Sequence, residues 1–232
     1  MSTRDLSPLD RGIYLQEFYS DLRRAGGLAE AIRGSMRSLG LANVEVSDSS
    51  PQLTGAEVRT VGTGYVAVSL GKAKRWFSLA FLAGSGRVCA SGGTEFLEDA
   101  IRSIYVWQGG LTPLRRLVEQ FSFLEVEPVA LAFEEGDPVA KRWDLLLHDD
   151  ELVEIRPLLR AAWSVDRIRQ MSPSVTHLTL LRLSPTVERS AVEVRVQMIA
   201  DGSYRIDFSP AERIFVETTI AQAIGRVVDS LG

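Results

Sequence analysis

Between residues 44 and 90 the chain breaks into five short β-rich runs with only turn chemistry between them. The runs are centred on Val44 and Val46, then on 58–61, 65–70, 75–82 and 87–90. The breaks are Asp48-Ser49-Ser50-Pro51, Gly62-Thr63-Gly64, Gly71-Lys72 and Gly84-Ser85-Gly86. A parallel connection needs a crossover of a dozen or more residues, usually a helix, so strands spaced this closely pair as antiparallel neighbours. This feature rules out a doubly wound parallel sheet here and predicts a β-meander.

Helices flank it. Ile13, Leu15, Phe18, Tyr19 and Leu22 recur at helical spacing until Gly26-Gly27, and Leu28, Ala31, Ile32, Met36 and Leu39 form a second stripe that stops at Gly40. After the meander, Thr94 can cap a helix with Glu95 and Glu98 in its first turn. Phe96, Leu97, Ala100, Ile101, Ile104 and Tyr105 make its apolar face, Ser103 faces away with the charged residues, and Gly109-Gly110 ends it. Pro113 opens a short helix through Leu114, Leu117, Val118 and Phe121. Asp137-Pro138 reads as a cap followed by a first helical residue. In the run after it Pro157 moves the start of regular helix to about Arg156.

The last third returns to strands. Residues 175–183 carry apolar side chains on both faces, which predicts one central strand buried on both sides. Val192, Val194, Val196 and Met198 alternate with Glu193, Arg195 and Gln197 as in a half-exposed strand. Asp201-Gly202 is a hairpin turn. Tyr204, Ile206 and Phe208 face inward on the next strand, and Val216, Ile220, Ile224, Val227 and Leu231 lie on a final helix. The expected class is α+β, with antiparallel sheets, helices packed on one side and a central helical segment. The chain reads as one domain, 1–232, with a possible subdivision near Gly92-Gly93, into 1–92 and 93–232, or near residue 135.

Composition narrows the functional classes. With 232 residues, 45% hydrophobic and 24% charged, the chain can bury a full core. The 30 acidic against 26 basic side chains give a net charge of -4, which argues against a phosphate backbone as the main partner. All but three of those basic residues are arginine, the lysines being Lys72, Lys74 and Lys141. GC-rich coding explains that excess without invoking function. The single cysteine, Cys89, leaves no intramolecular disulfide and no thiolate cluster. The polar N-terminus and the lack of an apolar run of about 18 residues predict a cytoplasmic protein without a membrane span.

No sequence motif commits the chain to a reaction. There is no G-x-x-x-x-G-K-S/T, no G-x-G-x-x-G opening a helix, no G-x-S-x-G and no H-E-x-x-H, so no cofactor and no metal are expected. His148-Asp149-Asp150 sets an imidazole beside two carboxylates at a helix junction, where one aspartate also suits an N-cap. Ser91-Gly92-Gly93-Thr94 before a helix is either an anion-holding turn or a plain turn and cap. His177, placed on the predicted central strand, either pins a buried polar network or lines a cavity. Arg182 in the same strand needs a carboxylate or an edge position, and otherwise anchors a ligand. A Cys89–His177 pair is chemically conceivable but has no flanking motif. Arg156, Arg160, Arg167 and Arg169, with Arg115 and Arg116 earlier, form either a solvated face or a patch for an acidic partner.

From about Val88 onward the sequence resembles the DUF6193 family of natural-product biosynthesis proteins, an uncharacterised and mostly actinobacterial group. The residues that carry the resemblance are Gly92-Gly93-Thr94 with Phe96-Leu97, Val106-Trp107-Gln108-Gly109-Gly110, Leu114-Arg115-Arg116-Leu117 and Phe121-Ser122-Phe123-Leu124-Glu125. Further on they are Trp143-Asp144-Leu145-Leu146, Ile155-Arg156-Pro157-Leu158-Leu159 and Thr176-His177 leading to Arg182-Leu183-Ser184. The resemblance implies a hydroxyl residue before the histidine, met by Thr176, and an arginine four residues after it. Here the arginine, Arg182, stands five after His177, and Pro185 replaces a further basic residue.

The context so implied is secondary metabolism. The leading expectation is an accessory protein that binds a small molecule or peptide, with Trp107, Trp143, Arg156 and Arg160 as ligand contacts. The alternatives are a cofactor-free enzyme in which His177 moves a proton with help from Arg182, and a protein-interaction or immunity-like module using the arginine-rich helical face. Neither nucleic acid nor membrane is an expected partner.

Overall fold

The structure is a computed structural model that describes residues 17–41, 44–50, 54–187, 192–211 and 213–231. Its contacts divide the chain into two compact units, Met1–Leu131 and Ala132–Gly232. A cut after residue 92 would pass through a strand, because Gly92 pairs with Leu79 and Gly93 with Ser78.

In the first unit α1 (Ser20–Ala25) and α2 (Leu28–Ser38) meet at Gly26-Gly27, both at positive φ. The part of the first predicted helix before residue 17 lies outside the described residues. The meander follows as β1 (Glu45–Asp48), β2 (Gly55–Arg59), β3 (Tyr65–Leu70), β4 (Phe77–Leu82) and β5 (Val88–Thr94). After α3 (Leu97–Trp107) and α4 (Leu114–Gln120) comes β6 (Leu124–Val126), a strand absent from the sequence reading. The six strands pair in sequence order, all antiparallel. Val58, Val66, Val68, Phe77, Leu79 and Phe81 point to one face and pack with Ile32, Met36, Ile101, Ile104 and Leu117 of the helices.

Thr94 ends β5, and its hydroxyl accepts the Phe96 N–H at 3.2 Å, so α3 starts two residues later than expected. The predicted apolar face keeps its centre, with Ala100, Ile101 and Ile104 buried, and differs at its margins. Phe96 and Tyr105 are exposed while Ser103 is buried, its hydroxyl donating to the Ala100 carbonyl at 2.8 Å. Trp107 packs edge-on against Phe81 at 5.3 Å. It also lies so close to Gly64 that a Cβ there would sit 2.4 Å from the indole ring.

The boundary between units falls within α5 (Pro128–Glu135), another unforeseen helix. The second unit continues with α6 (Pro138–His148), a 3-10 turn (Asp150–Leu152), α7 (Arg156–Trp163) and α8 (Asp166–Arg169). Asp137 caps α6 by accepting the Ala140 N–H at 3.0 Å, and α7 starts at Arg156 with Pro157 in its first turn. Five strands follow, β7 (Ser172–Thr176), β8 (Leu180–Ser184), β9 (Glu193–Met198), β10 (Tyr204–Ser209) and β11 (Arg213–Glu217), then α9 (Ile220–Ser230). They form a second antiparallel sheet in the order β11-β10-β9-β8-β7. Leu181, Leu183, Val194, Val196 and Ile206 share a core with Trp143, Leu158, Leu159, Ile168, Ala223 and Val227, so the helices cover one face.

Two expectations fail here. Residues 175–183 are not one strand buried on both faces but a hairpin, β7 to β8, that turns at His177, Leu178 and Thr179. Val216 belongs to β11 and is exposed, so the last helix begins at Ile220, where the Thr219 hydroxyl accepts the Gln222 N–H at 3.2 Å.

Candidate functional site on the open face of the second sheet

Strand alternation sends every second residue away from the core. In β8 those residues are Leu180, Arg182 and Ser184, in β9 Glu193, Arg195 and Gln197, and in β10 Arg205 and Asp207. The register sets Arg182 directly opposite Arg195, and Arg195 opposite Asp207. Two like charges facing each other across neighbouring strands are destabilising unless something neutralises them. Glu193 does so. Its Oε2 accepts from Nε and Nη2 of Arg182 at 3.0 and 2.7 Å, and its Oε1 accepts from Arg195. The carboxylate is only 8% exposed, whereas the two guanidinium side chains are 40% and 43% exposed. Burial works to raise the Glu193 pKa, but the hydrogen bonds from Arg182 and Arg195 and their charges outweigh it, holding the carboxyl below its ordinary value. Beside the triad, Arg205 donates to Asp207 at 3.1 Å.

Arg182 therefore has the carboxylate it required, on a half-exposed strand. His177 does not share that environment. It is exposed in the β7–β8 turn with φ 53°, followed by Leu178 at φ 58° and 51% exposed. Among the described residues no hydrogen bond joins His177 to Arg182. The buried polar network and the cavity both presupposed a buried strand, and the turn removes that premise. Cys89 is buried in the first unit, and its thiol contacts the Arg87 carbonyl at 3.6 Å.

The expected ligand contacts are scattered. Trp107 is 1% exposed in the first core and Trp143 is fully buried in the second, so neither indole presents a surface. Trp143 donates from Nε1 toward the carbonyls of Arg169 and Met171 at 3.1 and 3.0 Å, a structural use of its one polar atom. Arg156 turns back onto the α6–α7 junction and donates to the Asp149 carbonyl at 2.5 Å. Arg160 is exposed one turn further along α7. Arg167 donates to the Leu231 carbonyl, while Arg169 pairs with Asp166 at 2.6 Å and lies over the Trp163 ring. Only part of the proposed arginine patch is thus displayed freely.

His148, Asp149 and Asp150 serve separate local ends. His148 Nδ1 lies 2.8 Å from the Asp144 carbonyl, and Asp149 caps the 3-10 turn by accepting the Glu151 N–H at 2.9 Å. An open hollow of about 390 Å³ lies beside them, lined by Asp144, Leu145, Leu146, His148 and Asp149. The Lys141 ammonium, hydrogen-bonded to Asp144, holds that carboxyl below its usual range. Among the described residues no group of three His, Cys, Asp or Glu side chains could hold a metal ion, and no helix is long and apolar enough to cross a membrane.

Glu193 and Arg195 are the site residues that sequence reasoning missed. The signal available was a Glu-x-Arg alternation on one strand beside a strand carrying a lone arginine. The pairing register, which sequence alone did not supply, brings the three together.

The fold and site together define an α+β protein whose C-terminal sheet keeps a helix-covered core face and an arginine–carboxylate open face. The family model described as "Family of unknown function (DUF6193)" matches residues 137–232, less than half of the chain. The matched stretch holds Trp143, Arg156, His177 and Arg182, whereas the resembling motifs from Gly92 to Glu125 lie before it. No curated protein and no solved structure matches the chain.

Proposed function

We propose that the second unit is a binding module that takes a carboxylate-bearing small molecule or peptide on the open face of its sheet. This suits an accessory role in a natural-product pathway. The observation that supports it is the Arg182–Glu193–Arg195 triad. A well-packed apolar trio would stabilise a sheet face as well or better, because burying a charge carries a desolvation cost. The triad instead leaves one net positive charge and two planar guanidinium groups partly open to solvent. Such forks match a carboxylate bidentately and orient it, which a lysine does not.

The test uses citrate and a short polyglutamate peptide as probes, with calorimetry and thermal shift as readouts. Binding that weakens with salt and falls at least about tenfold in Arg195→Gln is expected. Neither probe binding, or binding indifferent to Arg195→Gln, overturns the reading. Native mass spectrometry of protein purified from its own host identifies a retained metabolite directly.

A second reading draws on the backbone at His177. A histidine and a leucine held consecutively at positive φ are a costly arrangement of the kind that gathers at working sites. A cofactor-free enzyme that moves a proton through His177 predicts loss of turnover in His177→Ala with the fold intact. A binder predicts pathway output unchanged by that substitution.

A further inference from the structure

Among the described residues, the two sheets have four edge strands, β1, β6, β7 and β11. An unprotected edge is a template for another strand, and proteins blunt such edges with short strands, proline or charge. Three of the four carry such a device. β6 is three residues long, and β7 holds Pro173, which has no N–H to offer. β1 is only four residues long and carries an acidic side chain at each end, Glu45 and Asp48.

β11 is charged too, but with opposite signs at its two ends, Arg213 and Glu217. It pairs with β10 in unbroken register from Arg213 to Glu217 and contains no proline. It also shows two apolar side chains on the open face, Ile214 at 57% and Val216 at 61% exposed. Its sequence, Arg-Ile-Phe-Val-Glu, is complementary to itself in antiparallel order. With a two-fold axis at Phe215, Arg213 faces Glu217 of the second copy at each end, and Ile214 faces Val216. This register works whether Phe215 or its neighbours direct their N–H and C=O groups outward, since either set maps onto itself. Arg226 already donates to Oε1 of Glu217 at 3.0 Å, leaving Oε2 for the incoming Arg213.

We propose that the protein forms a two-fold dimer by pairing β11 with β11 of a second copy, centred on Phe215. The contact is isologous and closes after two chains, so it joins the two five-stranded sheets without seeding a fibre. Five residues of strand make a small contact, so the dimer dissociates on dilution. This inference stands apart from the carboxylate-binding reading, because neither Arg182 nor Arg195 enters it.

Sedimentation across a concentration series tests it. The wild type is expected to pass from one chain to two, while Arg213→Glu raises the dissociation constant by about tenfold or more. Glu217→Arg alone also weakens self-association, since each variant places like charges together at both ends. Mixing the two variants restores a dimer, now made of one chain of each kind. Amide exchange on the wild type gives a readout that needs no variant to fold, because the outward N–H groups of β11 become protected as concentration rises. A monomer at every concentration overturns the proposal. So does a dimer that forms without protecting β11, or one that both charge variants leave unchanged.

Discussion

Both units lay helices under one face of an antiparallel sheet and bury one tryptophan, but they treat the opposite face differently. Across the middle of the first sheet the outward row reads Ser47, Glu57, Ala67, Ala80, Ser91 and Glu125. Across the second it reads Ser174, Arg182, Arg195, Asp207 and Ile214. The first unit directs its distinctive polar chemistry at its own backbone. The Tyr19 hydroxyl lies within 3.0 to 3.1 Å of the carbonyls of Gly71, Lys74 and Trp76 and accepts the Trp76 N–H at 2.8 Å. Arg75 grips Asp21 with both ends of its fork and reaches the Phe18 carbonyl. Those groups fasten one loop between strands. The second unit sets charge against charge on a sheet face with solvent beyond it. Polar groups saturated by backbone serve architecture, while the proposed ligand-binding reading rests on a pair of guanidinium groups left partly open.

The largest expected effects test whether the two cores are energetically separate. Trp107→Ala and Trp143→Ala each remove a buried indole and should cost about 3–5 kcal/mol. Trp143→Ala also deprives the Arg169 and Met171 carbonyls of their indole N–H. In urea titrations followed by amide exchange, each substitution should loosen its own unit first. Equal loss of protection in both units from either variant would mean that they unfold as one, and the contrast between them would then be only one of surface.

A smaller effect addresses the charged face. Glu193→Gln leaves Arg182 and Arg195 opposite each other without their anion. Breaking a buried pair can cost several kcal/mol, but both arginines can turn to water, so about 1–2 kcal/mol is expected. The pH dependence follows from the sign of the shift. The folded pKa of Glu193 lies below the unfolded value of about 4.3, so its contribution is present above that value and is lost as pH falls through the folded one. Asp21 in the first unit is shifted the same way, mainly by its hydrogen bond from Arg75. The difference between wild type and Glu193→Gln isolates the second sheet. The variant should be less stable at neutral pH, and the gap should begin to narrow as pH falls below about 4. A gap of the same size at all pH values would show that the triad is not where the charge matters.

What could be read in the sequence followed from local stereochemistry. Asp137-Pro138 and Pro157 placed two helix starts correctly because a cap and a ring-locked φ act within a few residues. The meander was readable from its glycine-bearing turns. Ser103 was misjudged because Trp107, one turn further on, was left out of the predicted stripe, and Ser103 shares the side of the helix that Trp107 and Ala100 bury. Glu193 was read as an outward, solvated residue. Its burial beneath two arginines depends on how β9 registers with β8, a fact distributed over distant residues. β11 was absorbed into the final helix because Val216 fits the helical spacing of Ile220, Ile224 and Val227 by coincidence.

The β7–β8 turn escaped for a different reason, and it carries the smallest prediction. Elsewhere in this sheet the turn after β9 uses Gly202 at φ 81°, and in the first sheet the turn before β5 uses Gly86 at φ 83°. At the tip of the β7–β8 hairpin His177 and Leu178 take left-handed conformations with no glycine, so no turn residue in the sequence marks where the chain reverses. A left-handed residue with a side chain costs roughly 1–2 kcal/mol, and glycine gives part of that back by widening the unfolded ensemble. Leu178→Gly should therefore stabilise the second unit by about 0.5–1 kcal/mol, since the exposed leucine loses little packing. Measured beside carboxylate binding, the same variant separates two explanations of the strain. A more stable protein that binds the probes as before makes the turn a tolerated accident of the hairpin. A more stable protein with weakened binding would place Leu178, and the histidine before it, with the arginine face in a single ligand-binding surface.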